Sequence, residues 1–525
     1  MKKFNTTGPC DARWHHMVPP EARLPQARGM VEDGSYFVVH APRQTGKTTT
    51  LQAIARSLTA EGKYAALLFS CETGEPLGDD IAAAERAVLS DLRRMAESDL
   101  PAELRPPSWT ESVAGEYLAT NLKAWAKACP RPLVLFFDEI DALRGESLRT
   151  VLRQLRSAFP TRPMAAPWSV VLCGLKDVRD YKIASGGDAT RLGTSSPFNI
   201  KVASLRIGDF TLDEVRTLYG QHTAETGQPF TADAIERAYA LTAGQPWLVN
   251  ALAREVIEEM RVAPPTPVEA DHIEEAKERL ILARQTHLDS LVARLMEPRV
   301  RRVIEPVIAG TLPTIDGAYD DDLLHVRDLG LVARDNPLRI ANPIYHEVVV
   351  RVLTAGAQTV VTAEPRSFVL PDGRLDMGRI IREFAEFWRE HGEILSVDMA
   401  YHEVAPQLVL MAYLQRVVNG GGYVDREYGI GRGRIDLLVR WPYRGADGKR
   451  MWQREALELK VWRDQKPDPL AQGLAQLDRY LDGLGLDTGI LVIFDRRANV
   501  PPAEERTEIS STRTPQGREV TLLRA

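Results

Sequence analysis

Residues 36–58 constrain this chain more than any other stretch. Tyr36-Phe37-Val38-Val39-His40 is a run of β-branched and aromatic residues, which predicts a strand. Ala41-Pro42-Arg43-Gln44-Thr45-Gly46-Lys47-Thr48 follows at once, and a helical pattern then continues to about Leu58. A loop between a strand and a helix N-terminus turns several backbone N–H groups inward, and the helix dipole adds positive potential. The stretch fits the phosphate-binding P-loop, except that Ala41 stands where the first glycine belongs. Candidate nucleotide-binding residues are therefore Arg43, Gln44, Thr45, Gly46, Lys47, Thr48 and Thr49. Gly46 lets the backbone approach a phosphate, Lys47 reaches the β/γ-phosphates, and the Thr48 hydroxyl suits Mg²⁺.

Its partner is the run Leu133-Val134-Leu135-Phe136-Phe137 ending in Asp138-Glu139-Ile140-Asp141. A continuous apolar strand of this kind belongs in a parallel sheet, where Asp138 would emerge at the carboxyl edge beside the loop. Asp138 is suited to hold Mg²⁺ through water, and Glu139 to orient or deprotonate an attacking water. Asp141 reads rather as a helix cap. The two motifs together predict hydrolysis of ATP with Mg²⁺ as cofactor. Residues 169–173 form another apolar run, and strands alternating with helices argue an α/β sheet. From Phe210 to about Arg294 the period is helical, with Thr211 and Glu214 spaced as a capping box. A winged segment is expected around Asp335-Asn336-Pro337, with Gly330-Leu331-Val332 and Leu338-Arg339-Ile340 as its strands.

Composition sets outer bounds. The chain has 525 residues, 44% of them hydrophobic and 26% charged, so it can bury real cores and is not a mostly disordered chain. Apolar runs are too short to span a membrane, and the start lacks the apolar core of a secretory signal. Cys10, Cys71, Cys129 and Cys173 are scattered with no CxxC pair, which disfavours zinc or disulfides and fits a cytoplasmic location. The pair His15-His16 lies in a loop ahead of the first strand and reads as pocket or surface structure rather than as a metal site.

On these motifs, residues 1–355 resemble the AAA-like P-loop ATPases of the signal-transducing (STAND-type) and archaeal-ATPase group. Thr242-Ala243-Gly244-Gln245-Pro246-Trp247-Leu248-Val249 is similar to that group's lid element, which implies that Gly244 and Pro246 sit against the nucleotide base. The resemblance implies an ATPase core over 1–209, a helical lid over 210–294 and a winged helix over 295–357. It also implies a polar sensor and often an arginine finger. Lys176, Arg179 and Arg191 are candidates, and none is assigned.

A second constellation lies beyond a linker at 358–378. Asp436 stands in one predicted strand, and Glu455-Ala456-Leu457-Glu458-Leu459-Lys460 in the next. Alternation puts Glu458 and Lys460 on one face, and a hairpin through Asp447-Gly448 would bring Asp436 beside Glu458. Two carboxylates that hold Mg²⁺, with an amine to stabilise charge, suit phosphodiester hydrolysis. The arrangement resembles the PD-(D/E)XK nuclease superfamily over 379–525, an α/β restriction-endonuclease-like fold. That resemblance implies Glu403 as a further metal ligand, and Gln476 and Tyr480 as an accessory Q-x-x-x-Y element. Residues 423–463 carry ten basic against six acidic residues inside a chain of net charge −6, and Trp441, Tyr443 and Trp452 interleave with them. Those rings suit either base stacking or a core.

The expected function is thus an ATP-driven switch joined to a nuclease, with nucleic acid, DNA in preference, as partner. The alternative is a regulatory ATPase whose nuclease-like domain only binds protein or DNA. A DNA-remodelling motor would require a homo-oligomeric ring.

Overall fold

The apolar runs of the first half form the centre of a parallel sheet. In the computed structural model, residues 2–175, 203–283, 286–309, 320–358, 368–398, 405–418, 422–430, 433–445 and 450–525 are described. The five strands are β1 (Tyr36–His40), β2 (Ala65–Ser70), β3 (Leu133–Asp138), β4 (Ser169–Gly174) and β5 (Ser204–Arg206), in the order β2-β3-β4-β1-β5. Every pairing is parallel. All residues of β1, β3 and β4 are buried, as expected for strands covered on both faces. Period-two alternation divides them between two cores. Tyr36, Val38, Leu135 and Phe137 pack with α3 (Ile81–Asp99), α4 (Tyr117–Ala128) and α5 (Gly145–Ala158). Phe37, Val39 and Phe136 pack with α1 (Pro25–Glu32) and α2 (Lys47–Ala60).

A helical group follows: α6 (Leu212–Thr226), α7 (Ala232–Thr242), α8 (Pro246–Arg254) and α9 (Ala270–Leu282). The Thr211–Glu214 capping box forms: Glu214 N–H donates to Thr211 Oγ1 at 3.2 Å, and Thr211 N–H to Glu214 Oε2 at 2.7 Å. Further on, α10 (Asp321–Asp328) precedes an antiparallel bridge between Val332 and Ile340, which is the expected pairing of the wing.

By internal contacts the chain divides into two units, Met1–Asp289 with Ile315–Ile344, and Ser290–Thr314 with Tyr345–Ala525. The second contains α11 (Met377–Asp398), α12 (Ala405–Val418) and a mixed six-stranded sheet. Its strands are β6 (Tyr423–Ile430), β7 (Gly433–Arg444), β8 (Arg450–Trp462), β9 (Thr488–Asp495), β10 (Glu508–Arg513) and β11 (Glu519–Arg524), in the order β10-β11-β9-β8-β7-β6. β7 and β8 form the expected antiparallel hairpin, while β8, β9 and β11 run parallel. Helix α13 (Leu470–Leu484) lays Leu477 and Leu481 against Leu438, Ala456, Leu491 and Ile493. Strands β6, β10 and β11 were not expected. β6 and β10 are edge strands, and their polar sequences, YVDREYGI and EISSTR, hide the apolar alternation. Among the described residues no helix is long and apolar enough to cross a membrane.

Candidate functional site

In the first unit, the loop 41–48 leaves β1 and enters α2 at the sheet's carboxyl end. Gly46 is left-handed at φ 88°, which glycine adopts without strain. Ala41 is absent from the positive-φ positions, so the missing first glycine costs no backbone strain there. Thr45 is buried, and its hydroxyl donates to Pro42 O at 2.9 Å, closing the loop on itself. Lys47 Nζ donates to the carbonyls of Ala41 and Pro42, each at 2.8 Å. Burial draws this ammonium below its ordinary pKa, with Asp138, Asp141 and Glu139 among the groups that oppose the shift. Arg43 and Gln44 are exposed, and Gln44, with left-handed backbone at φ 59°, lines the cavity beside the loop.

Asp138 ends β3, two strands from β1 across β4, and is buried. Thr48 Oγ1 donates to its Oδ2 at 2.6 Å, and Glu139 N–H to its Oδ1 at 3.0 Å. Glu139 has left-handed backbone, φ 53°, and Ser70 Oγ donates to its Oε2 at 2.7 Å. Burial raises the Glu139 carboxyl above its usual range, which moves a carboxylate toward useful basicity. Asp141 corrects the sequence reading. It caps none of the described helices; its Oδ2 accepts the N–H of Leu175, just past β4, at 3.1 Å.

Beside the loop lies a cavity of about 120 Å³, bounded by Asn5, Cys10, Arg23, Gly46, Phe210 and Pro246 among others. Sequence reasoning missed its N-terminal wall. Cys10 N–H donates to Thr49 Oγ1 at 3.0 Å, so Thr49 anchors that segment. Arg23 donates to Thr45 O at 2.7 Å and lies 4.7 Å over the Phe210 ring. Arg23 thus joins the loop to Phe210 but stands about two dozen residues before Lys47 in sequence, and no local pattern marks it. Gly244 and Pro246 meet this wall differently. Pro246 lines the cavity, whereas Gly244, at φ 78°, lies under the Phe210 backbone, where a Cβ would come 1.9 Å from Phe210 O. His15 Nδ1 accepts Asp11 N–H at 2.9 Å, and His16 is buried against Phe4. Among the described residues neither histidine belongs to a metal-binding group.

In the second unit the expected trio does converge. The β7–β8 ladder ends at Leu437 opposite Leu457, and one step further brings Asp436 into line with Glu458. Asp436 Oδ2 accepts Leu459 N–H at 2.8 Å, and Lys460 Nζ donates to Glu458 Oε1 at 2.6 Å. Glu458 is 2% exposed, and its Oε2 has no hydrogen-bond donor. Burial, then the neighbouring Asp436, pushes the Glu458 carboxyl up to about 7, against the pull of Lys460. Gln476 and Tyr480 stand on α13, which covers this sheet face; Tyr480 packs on the core there, and Gln476 Oε1 is a second buried oxygen with no donor.

Other expectations fare differently. Glu403, Lys176, Arg179, Arg191 and the hairpin tip lie outside the described residues. Among the described residues no three His, Cys, Asp or Glu side chains gather as a metal group. The aromatic residues of 423–463 stand apart from the trio. Trp452 is eight residues from Lys460 along β8, roughly 26 Å at about 3.3 Å per residue. Trp452 and Tyr423 pair at 5.7 Å with Arg440 over both rings, and Trp441 Nε1 donates to Gly373 O at 2.9 Å. These rings build the far end of the sheet.

No protein-family model and no curated protein matches the chain. Among solved structures it is similar to a Walker-type ATPase of Pyrococcus abyssi, at 14% identity and TM-score 0.46, over 66% of this chain and 99% of that one. The ORC2 protein of Aeropyrum pernix follows at 14% identity and TM-score 0.39, over 67% and 97%. The RuvB Holliday junction branch migration motor of Thermotoga maritima gives 15% and 0.34, over 63% and 93%. Likeness at this level assigns neither family nor activity.

Proposed function

We propose that the chain carries an ATP-binding and ATP-hydrolysing unit, followed by a unit that cleaves phosphodiester bonds in nucleic acid, DNA in preference. The observation that carries the first half is the 2.6 Å bond from Thr48 to Asp138. It joins a buried strand-end carboxylate to the hydroxyl that follows the loop lysine, which is the donor set a nucleotide-bound Mg²⁺ requires. Phosphates would draw the Lys47 ammonium from the carbonyls of Ala41 and Pro42, and Glu139 would take the proton of the attacking water. Pro246, Arg23 and the N-terminal wall would enclose the base and ribose, and lid closure on the γ-phosphate would be the switch.

For the second half, the support is Glu458 Oε2, a buried oxygen without a donor beside Asp436 and Lys460. A buried acceptor left unpaired is costly, and a divalent cation would satisfy it. Asp436 and Glu458 would hold that Mg²⁺, with Glu403 as the third acid implied by the family resemblance. Magnesium supplies positive charge at phosphate oxygens and acidifies bound water. Lys460 would orient the water and screen the phosphate.

Two substitutions separate the halves. Lys47→Ala should abolish ATP turnover, and turnover that survives it contradicts the first assignment. Lys460→Ala should abolish Mg²⁺-dependent cleavage of plasmid DNA without touching ATP turnover. If wild-type protein cleaves no DNA or RNA, with or without ATP, the second unit is a binding module.

A further inference from the structure

Strands β8, β9 and β11 run parallel, so their carboxyl ends open on one end of the second sheet. The start of β7, with Asp436, arrives at the same end because β7 is antiparallel to β8. Cations collect there from three separate strands. Arg463 and Lys466 follow β8, Arg496 and Arg497 follow β9, and Arg524 ends β11. Set among these five are three carboxylates, Asp464, Asp468 and Asp495.

Trp462 organises the cluster. It lies two residues beyond Lys460, hence on the same β8 face, and packs against the core under α13. The Arg497 guanidinium sits 3.5 Å from its ring centre and that of Arg524 at 5.7 Å. The indole Nε1 donates to Lys466 O at 3.0 Å. Asp495 holds Arg497 at 2.6 Å, and Asp468 holds Arg524 at 2.7 Å. The two arginine side chains remain 36% and 30% exposed. A guanidinium has five N–H donors, and one carboxylate leaves several of them for another anion.

We propose that this strand-end surface is the track on which a nucleic-acid backbone lies as it runs up to Asp436, Glu458 and Lys460. Arg497 and Arg524 grip successive phosphates, and Trp462 fixes the plane of the nearer guanidinium. Planar forks held in place suit phosphate recognition, and no base edge need be read, so binding is insensitive to sequence. The inference rests on the nucleic-acid reading of this unit but not on cleavage.

The test uses full-length protein in EDTA and a fluorescein-labelled DNA of about 30 nucleotides, single-stranded or duplex, with anisotropy followed across salt. Replacing Arg497 and Arg524 together by Ala should weaken binding about 10- to 100-fold at low salt. It should also flatten the plot of log affinity against log salt by about two, one for each phosphate no longer neutralised. The paired Lys variant should restore the slope but only part of the affinity. Arg440→Ala, at the far end of the sheet, should change neither. If the double Ala variant melts early, each single substitution should still lower the slope by about one. Wild-type affinity and slope in the Ala variants overturn the proposal, as does wild-type protein that binds neither DNA nor RNA. Binding that depends on these arginines, with no cleavage in Mg²⁺, removes the catalytic reading and leaves the surface standing.

Discussion

Gly244→Ala tests how the turn after α7 is seated against Phe210 in the wall of the cavity beside the loop 41–48. Gly244 has φ 78°, and a Cβ there would stand 1.9 Å from Phe210 O and 2.9 Å from Phe210 C. Gly227 is the natural control, because it has nearly the same φ of 74° at the end of α6 and nothing within 4 Å of its Cβ. Gly227→Ala should therefore cost only the left-handed penalty, about 1 kcal/mol. Gly244→Ala incurs that and must also push the Phe210 backbone outward by more than an ångström. The displacement overpacks a buried site, at about 1–3 kcal/mol. It also strains the 2.7 Å bond from Phe210 N–H to Gly244 O, worth about 1 kcal/mol net. The sum is about 3–5 kcal/mol against about 1. Since Phe210 lines the cavity under Arg23, nucleotide affinity should fall in the Gly244 variant alone. Urea unfolding gives the first comparison and ATP titration the second. Equal losses in the two variants would refute the argument, because the clash with Phe210 is the only difference invoked.

Three further outcomes follow from the same geometry. Thr48→Ala leaves buried Asp138 short of a donor and should cost about 1–3 kcal/mol by unfolding, as well as Mg²⁺-dependent ATP turnover; Thr48→Ser should recover both. His287 is buried and stacked on Trp247 at 4.7 Å, and burial lowers its pKa to about 4. The unfolded chain, with an ordinary value near 6.5, then binds this proton first. Stability should be intact above about pH 6.5 and fall by about 3 kcal/mol as pH drops toward 4, a loss that His287→Phe should flatten in unfolding curves. Gly330 lies against the loop, where a Cβ would come 2.7 Å from Pro42 Cγ, so Gly330→Ala should raise the KM for ATP, and unchanged kinetics would dissociate the winged segment from the loop.

Much of the fold was legible because its strongest signals are local. A fully buried strand such as β1 or β3 is a continuous apolar run, and the loop between β1 and α2 has its chemistry in consecutive residues. The trio of Asp436, Glu458 and Lys460 was legible for a related reason. A hairpin converts sequence separation into register, and period-two alternation then fixes which side chains share a face. What escaped was assembled by long-range packing. Arg23 bonds to Thr45 from a segment with no periodic pattern, and Gly244 meets Phe210 from the opposite end of two helices.

The aromatic residues around the second site show where the same local reasoning misleads. Trp441, Tyr443 and Trp452 are close in sequence to Asp436 and Glu458, yet each step along a strand moves a residue about 3.3 Å further from the site. Five to seven steps carry these rings toward the opposite end of the sheet, where they are half-buried. The residues that share the site's end come instead from strands whose order sequence did not show: Arg497 after β9 and Arg524 at the end of β11, drawn together only because both strands run parallel to β8. In a mixed sheet, parallel neighbours bring their carboxyl ends together whatever their separation in the chain. Which side chains share the end of the sheet with the catalytic candidates is therefore decided by the strands that finish there, rather than by nearness in sequence.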